Sequence, residues 1–294
     1  MNLAICTISF RHHLISLEQV ARWARAHRFQ GIELWGAHAR NLQAEPEYGA
    51  EWLRGYDLCV PMLSDYLPLE APADELWAKV EQLAALAGRW DAPKVRTFAG
   101  RTGSDQASAA ERLLVATRLR GACERLADRG LLLLVETHPA TLADTADSTL
   151  RLLAEVDHPA LRVNFDVLHV WEGGDEPRAA LARLRPHVAH FHLKNVSGRD
   201  RLEVFAPANV YSAAGSRQGM VPLFEGALDY RSFLTELVSD TTIDASLEWF
   251  GEDVKPTLSR DRLALERWGV RLGASQERPR GKRQSAQARA RQWR

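Results

Sequence analysis

Eight short apolar runs of β type recur along the chain at roughly thirty-residue spacing, and amphipathic helical stretches lie between them. They are LAICTI (3–8), GIELW (31–35), LCVPMLS (58–64), KVRTF (94–98), LLLLVE (131–136), LRVNFD (161–166), VAHFHLK (188–194) and IDASLEW (243–249). The intervening patterns include SLEQVARWARAHRF (16–29), with Ser16 placed to cap a helix, and ASAAERLLVATRLRGACERLADRG (107–130), which ends on glycine. Repeated alternation of this kind predicts a parallel sheet wrapped by helices. A chain of 294 residues is long enough for two ordinary domains, but the economical closure of eight such units is a single α/β (β/α)8 TIM barrel. We place that barrel on residues 1–272 and a separate tail on 273–294.

Charge supports the division. The chain is formally neutral, yet from Glu277 onward seven Lys and Arg residues face one acid, leaving the body near −6. The tail reads as a solvated appendage, with contact to an anionic surface as the sharper alternative. An acidic body argues against nucleic acid as the partner. MNLAICTISF carries no positive leader region, and no apolar run approaches the ~20 residues that span a bilayer, so the expectation is a cytoplasmic protein with no membrane partner. Cys6, Cys59 and Cys123 are odd in number and far apart, which fits neither a disulfide framework nor a structural zinc site.

In a barrel of this kind the reacting groups sit at the C-terminal ends of the strands. Here those ends carry Arg96, then Glu136 and His138, then Asp166 with His169, then His190, His192 and Lys194, then Glu248. Alternation sharpens the pattern, because side chains two apart share a face. His190, His192 and Lys194 then point into the barrel while Ala189, Phe191 and Leu193 face the helices. Singly, Glu136 or Glu248 reads as a salt-bridged strand-end acid and Asp166 as a helix cap. Together, Glu136, Asp166, His192 and Glu248 are three carboxylates and an imidazole that would repel unless a divalent cation joined them. Oxygen-rich ligands suit Mn²⁺ first, with Mg²⁺, Co²⁺ or Zn²⁺ as alternatives. His138, two residues past Glu136, is a suitable general base, and Lys194 and Arg96 add fixed positive charge. Such a site suits an anionic, oxygen-rich small molecule from which a carbon-bound proton is removed beside a polarised carbonyl.

The chain resembles the xylose-isomerase-like barrel superfamily and, within it, the bacterial 3-dehydroshikimate dehydratases of petrobactin-type siderophore biosynthesis. The stretches that carry the resemblance are CTISFRHHLIS (6–16), GIELWGAHARNL (31–42), RTFAG (96–100), VETHPATLADT (135–145), FDVLHVWEGG (165–174), HFHLKNVS (190–197), NVYSAAGSRQGMVPLFEG (209–226) and SLEWFG (246–251). ETHP or SLEW alone recurs among sugar isomerases; the long stretch at 209–226 together with CTISFRH is much more specific. Nothing in the tail matches.

The resemblance implies a metal-dependent lyase that converts 3-dehydroshikimate to 3,4-dihydroxybenzoate (protocatechuate), a catechol for siderophore synthesis. The family's ligand positions fall on Glu136, Asp166, His192 and Glu248, and its base on His138. Metal and Lys194 would polarise the C3 ketone, His138 would take the C4 proton, and loss of the C5 hydroxyl followed by tautomerisation would give the catechol. Arg96, or Arg217 in the long loop after the seventh strand, would pair with the ring carboxylate, a task that suits a guanidinium fork. His169, Arg217, Tyr211 and Glu33 are further candidates for substrate contact, and assembly as a homo-oligomer is compatible with all of this. Rival readings are a sugar or keto-acid isomerase or epimerase, which usually has a second carboxylate as opposing base, an abasic-site endonuclease, which needs a three-metal cluster and a basic groove, and a metal-loaded binding module, which leaves His138 and Lys194 without a purpose.

Overall fold

The computed structural model describes residues 1–235, 237 and 242–273. The eight runs pair in parallel, each with its neighbour in chain order, and the last pairs with the first to close a barrel. Gly31–Trp35 and Leu161–Asp166 coincide with their sequence runs, and Leu132–Glu136 begins one residue inside its own. Asn2–Cys6, Lys94–Thr97, Val188–Leu193 and Asp244–Leu247 supply four more strands.

The third strand corrects the expectation. Of the run 58–64 only Leu63–Ser64 joins the ladder, with an isolated bridge from Cys59 to Gly31. Pro61 stands between the two, and a residue without an N–H cannot donate to a neighbouring strand.

Helix boundaries follow the capping chemistry in the sequence. Leu17–Ala26 starts from Ser16, whose side chain accepts from the Gln19 backbone while the Gln19 side chain returns the bond. Ser108 and Glu111 make the same reciprocal pair at the head of Ala109–Ala127. Gly130 then takes a φ of 71°, a conformation that only glycine adopts without steric cost, and turns the chain into Leu132–Glu136. Among the described residues no helix is long and apolar enough to cross a membrane.

Alternation along the strands decides which side chains fill the barrel. Phe165 and Phe191 face outward, packing 5.8 Å apart and against Phe233 of the helix Tyr230–Leu234. Asp166, His190 and His192, on the opposite face of the same strands, are fully buried inside the barrel. Beyond the seventh strand, Asn195–Val196 pairs antiparallel with Met220–Val221 and closes off a long loop. That loop brings buried Phe205 and half-exposed Tyr211 to the C-terminal rim. The basic tail lies outside the described residues from 274 on.

Candidate active site

The rim gathers residues from four strand ends. Glu136 and Asp166 are the last residues of their strands, His192 is the last but one of Val188–Leu193, and Lys194 and Glu248 each follow a strand directly. Asp166 performs two tasks at once. Its Oδ1 accepts the His169 amide at 3.1 Å and caps the following helix, while its Oδ2 turns into the barrel.

The centre of the arrangement is His192 Nδ1. It lies 3.4 Å from Glu136 Oε1, 3.6 Å from Glu248 Oε2 and 3.8 Å from Asp166 Oδ2, and it has no hydrogen-bond partner among the described residues. Glu136, Asp166 and His192 can each offer one ligand atom within 4.8 Å of the others. Glu248 joins them through His192 and through Lys194, whose ammonium is 2.8 Å from Glu248 Oε2 and in close contact with Asp166. An orphaned buried imidazole nitrogen facing three carboxylates fits a divalent cation with mixed oxygen and nitrogen ligands.

Electrostatics agree with the geometry. Burial works to raise the pKa of Glu136, but Arg96, His192 and Lys194 override it and hold the carboxyl well below its usual range. Burial likewise opposes charge on His192, yet Glu248, Glu33 and Glu136 lift its imidazole well above the ordinary value. The rim therefore has a strong preference for positive charge at its centre.

His138 sits beside this cluster, wedged between the rings of Phe98 and His169 with both centroids at 4.3 Å. Its Nδ1 is 2.7 Å from the Pro139 carbonyl, which can only accept, so that nitrogen carries the proton and Nε2 keeps its lone pair. Burial, and next the neighbouring His169, push its pKa down to about 3. A neutral imidazole with a free lone pair is what a general base requires. His169 donates in turn from Nδ1 toward Glu172 Oε2 at 2.7 Å, so it supports the His138 ring from behind.

The candidates for substrate contact occupy different places in the structure. Glu33 does not reach the mouth. It is fully buried behind His192, where its carboxylate accepts from His192 Nε2 at 2.9 and 3.0 Å. Arg217 commits its guanidinium to the carbonyls of Asn209, Ser212 and Ser216 in its own loop, which leaves it poorly placed to clamp a ligand. Arg96 stands with Nε 2.9 Å from Glu136 Oε2, close but not aligned as a hydrogen bond, and its Nη1 remains unpartnered among the described residues. Tyr211 is at the mouth, with its hydroxyl 2.6 Å from that of Tyr66 and its ring stacked on Trp35.

Sequence reasoning did not single out Arg11, Tyr66, Phe98 or Phe250. Arg11 follows the turn Thr7–Phe10 rather than ending a strand. Its guanidinium lies 4.8 Å over Phe250, donates from Nε to Val210 O at 2.6 Å, and keeps a buried Nη2 without a partner among the described residues. Burial, and then Arg217, lower its pKa to about 10, so it stays charged near neutrality. Phe250 and Phe205 together wall the site above Lys194, which sits 5.7 and 5.8 Å from their centroids.

Comparison with known proteins gives the family. The model of the xylose isomerase-like TIM barrel family matches residues 21–269. A 3-dehydroshikimate dehydratase of Bacillus anthracis is 47% identical over 271 residues, which are 90% of this chain and 96% of that protein. The crystal structure of the probable 3-DHS dehydratase AsbF, involved in petrobactin synthesis in Bacillus anthracis, superposes with a TM-score of 0.87 at 46% identity, covering 90% of this chain and 99% of that one. A xylose isomerase-like TIM barrel protein of Mycobacterium smegmatis in complex with magnesium shares the fold alone, at a TM-score of 0.68 and 19% identity over 92% of this chain and 96% of that one.

Proposed function

Since this chain belongs to the xylose isomerase-like TIM barrel family, we propose that it is a 3-dehydroshikimate dehydratase, a lyase that forms protocatechuate and water. The observation that carries the reading is the convergence of Glu136, Asp166 and Glu248 on His192 Nδ1, with the neutral His138 alongside. A divalent ion, Mn²⁺ in our reading, held by those four residues would supply Lewis-acid polarisation of the substrate's ketone and adjacent hydroxyl.

The chain's own residues supply the rest. His138 takes the C4 proton at Nε2 while its Nδ1–H bond to Pro139 and its stacking between Phe98 and His169 keep the ring oriented. The Lys194 ammonium, fixed by Asp166 and Glu248, offers positive charge to the ketone oxygen as negative charge develops there. The proton on His138 returns to the departing C5 hydroxyl, which leaves as water. Loss of a C6 proton with protonation of the ketone oxygen then completes the aromatic ring.

Arg11 is the residue we assign to the substrate carboxylate. That group lies across the ring from C4, whereas Arg96 stands against Glu136, on the side where the ketone and C4 hydroxyl must bind. Phe205, Phe250, Tyr66 and Tyr211 close the mouth around the ring and exclude water. The product would serve as a catechol for siderophore synthesis, made from a small molecule in the cytoplasm.

The test uses protein stripped of metal by chelation. Returning Mn²⁺ should restore conversion of 3-dehydroshikimate, read as catechol absorbance, and Glu136→Gln should lose Mn²⁺ binding and turnover together. Full activity in the stripped protein, or no catechol under any of Mn²⁺, Mg²⁺, Co²⁺ and Zn²⁺, would sink the proposal.

A further inference from the structure

Glu33 takes part in no step of that chemistry, yet it is among the most completely enclosed carboxylates in the barrel. Its hydrogen-bond partners among the described residues all donate to it. Oε1 accepts from the Ser64 hydroxyl, from Cys6 Sγ at 3.5 Å and from His192 Nε2 at 3.0 Å. Oε2 lies 2.9 Å from His192 Nε2 and 3.3 Å from His190 Nε2. The tautomer of His190 is fixed from its other side. Its Nδ1 is 3.4 Å from the Lys94 ammonium, which can only donate, so the His190 proton sits on Nε2, toward Glu33 and the Ser246 hydroxyl. Glu33 is thus ringed by donors, and a neutral His192 can satisfy it only by carrying its own proton on Nε2.

We propose that Glu33 is a positioning residue for the metal centre: by accepting the Nε2–H of His192 it turns the Nδ1 lone pair of that imidazole toward Glu136, Asp166 and Glu248. The inference rests on the metal-centre part of the reading above and is independent of the reaction carried out there. A carboxylate behind a metal-binding imidazole both orients the ring and strengthens it as a ligand, and its loss typically weakens metal binding by about 10- to 100-fold. In this barrel the effect should be specific to the charge and acceptor character of residue 33. A carboxamide would place N–H groups among donors. With one neutral oxygen in place of a carboxylate it would hold the Nε2–H of His192 less strongly, and a His192 that accepted at Nε2 instead would protonate Nδ1, the nitrogen that faces the carboxylates.

The experiment is a Mn²⁺ titration of metal-free wild-type protein, Glu33→Gln and Glu33→Asp, followed by calorimetry, with far-UV circular dichroism and Tm recorded for each. Glu33→Gln should bind Mn²⁺ about 10- to 100-fold more weakly, and Glu33→Asp, which keeps both acceptor oxygens, should recover part of the loss. A second arm needs no substitution. In ¹⁵N-histidine-labelled wild-type protein loaded with Zn²⁺, long-range ¹H–¹⁵N spectra should show His192 protonated at Nε2 and metal-bound at Nδ1. A folded Glu33→Gln protein with a Mn²⁺ Kd within twofold of wild type, or a His192 coordinated through Nε2, would overturn the proposal. If Glu33→Gln does not fold, the spectrum decides. Neither arm measures turnover, so failure of the dehydratase assignment would leave both results standing.

Discussion

Two clusters of charge are buried inside the same barrel, one at each end, and they are finished to different degrees. At the N-terminal end Lys94, Asp244 and Asn2 are the first residues of three strands. The Lys94 ammonium, 2% exposed, meets Asp244, the Ala189 carbonyl at 3.0 Å and His190 Nδ1 at 3.4 Å, so its three hydrogens are used. Asn2 Nδ2 completes the Asp244 carboxylate at 3.0 Å. At the C-terminal end Glu136, Asp166, Glu248, His192, Lys194 and Arg96 are as deeply buried, yet His192 Nδ1, Glu136 Oε2 and Arg96 Nη1 have no hydrogen-bond partner among the described residues. Burying polar atoms without partners costs stability at either end. A cluster whose role is structural closes on itself, and one that awaits a ligand keeps atoms in reserve.

The comparison breaks first if the rim performs no chemistry. His138→Ala should lower kcat by about 10²- to 10⁴-fold, the range for a lost general base, while Mn²⁺ affinity holds, because His138 is not among the four proposed ligands. Turnover near the wild-type rate would end the assignment. A pH profile sharpens the point. With its pKa pushed down to about 3, His138 is almost wholly the free base from about pH 5 upward, so kcat of the metal-saturated enzyme should show no acid limb near 6.5.

The next largest effect belongs to the floor. Asp244→Asn leaves a buried ammonium without its counter-ion and should cost up to about 3 kcal/mol, toward the low end of the range for broken buried pairs because the Asp244 side chain is 26% exposed. Burial raises the Asp244 pKa, but Lys94 and His190 outweigh it and hold the group below its usual value. The pair therefore stabilises the wild type above about pH 4 and is lost as pH falls through the lowered pKa; the variant should lack that part of the pH dependence. Urea unfolding at pH 7 and pH 3 measures both. A loss of turnover per folded molecule, with stability unchanged, would reverse the roles given to the two ends.

How far the sequence reveals this contrast depends on what kind of information each residue carries. Strand ends are legible because a buried apolar run that stops on an acid changes character within one residue, as at Leu132–Glu136 and Leu161–Asp166. The inward face of VAHFHLK follows from a period of two. The position of Glu33 also follows from that period, but which side of the His192 ring it occupies depends on how two strands three apart around the barrel pack their side chains, and no local pattern encodes that. Arg217 looks free in sequence because carbonyls of its own loop are invisible there. Arg11 is missed for the opposite reason: it sits on a short turn after a strand, and its role depends on Val210 and Phe250, which are distant in the chain.

The smallest effect tests whether the reserve of donors at the rim extends to Arg11. Two of its nitrogens are engaged, Nε on Val210 O at 2.6 Å and Nη1 on Ile8 O at 3.3 Å, so the unpartnered Nη2 is the edge left for a carboxylate oxygen. Arg11→Lys keeps the charge but cannot bond the Val210 carbonyl and a substrate oxygen with the same rigid fork. KM for 3-dehydroshikimate should rise about tenfold, equivalent to ~1.4 kcal/mol, with kcat changed much less. Because Val210 lies in the loop over the mouth, a loosened loop could raise KM by itself. The carboxamide analogue of the substrate separates the two causes. If Arg11 reads the carboxylate, wild type and variant should bind the neutral analogue equally; if the loop is responsible, the tenfold gap should persist. A KM that moves with Arg96→Lys and stays fixed with Arg11→Lys would transfer the carboxylate to Arg96, and with it would place the substrate's acid beside Glu136 rather than across the ring from it.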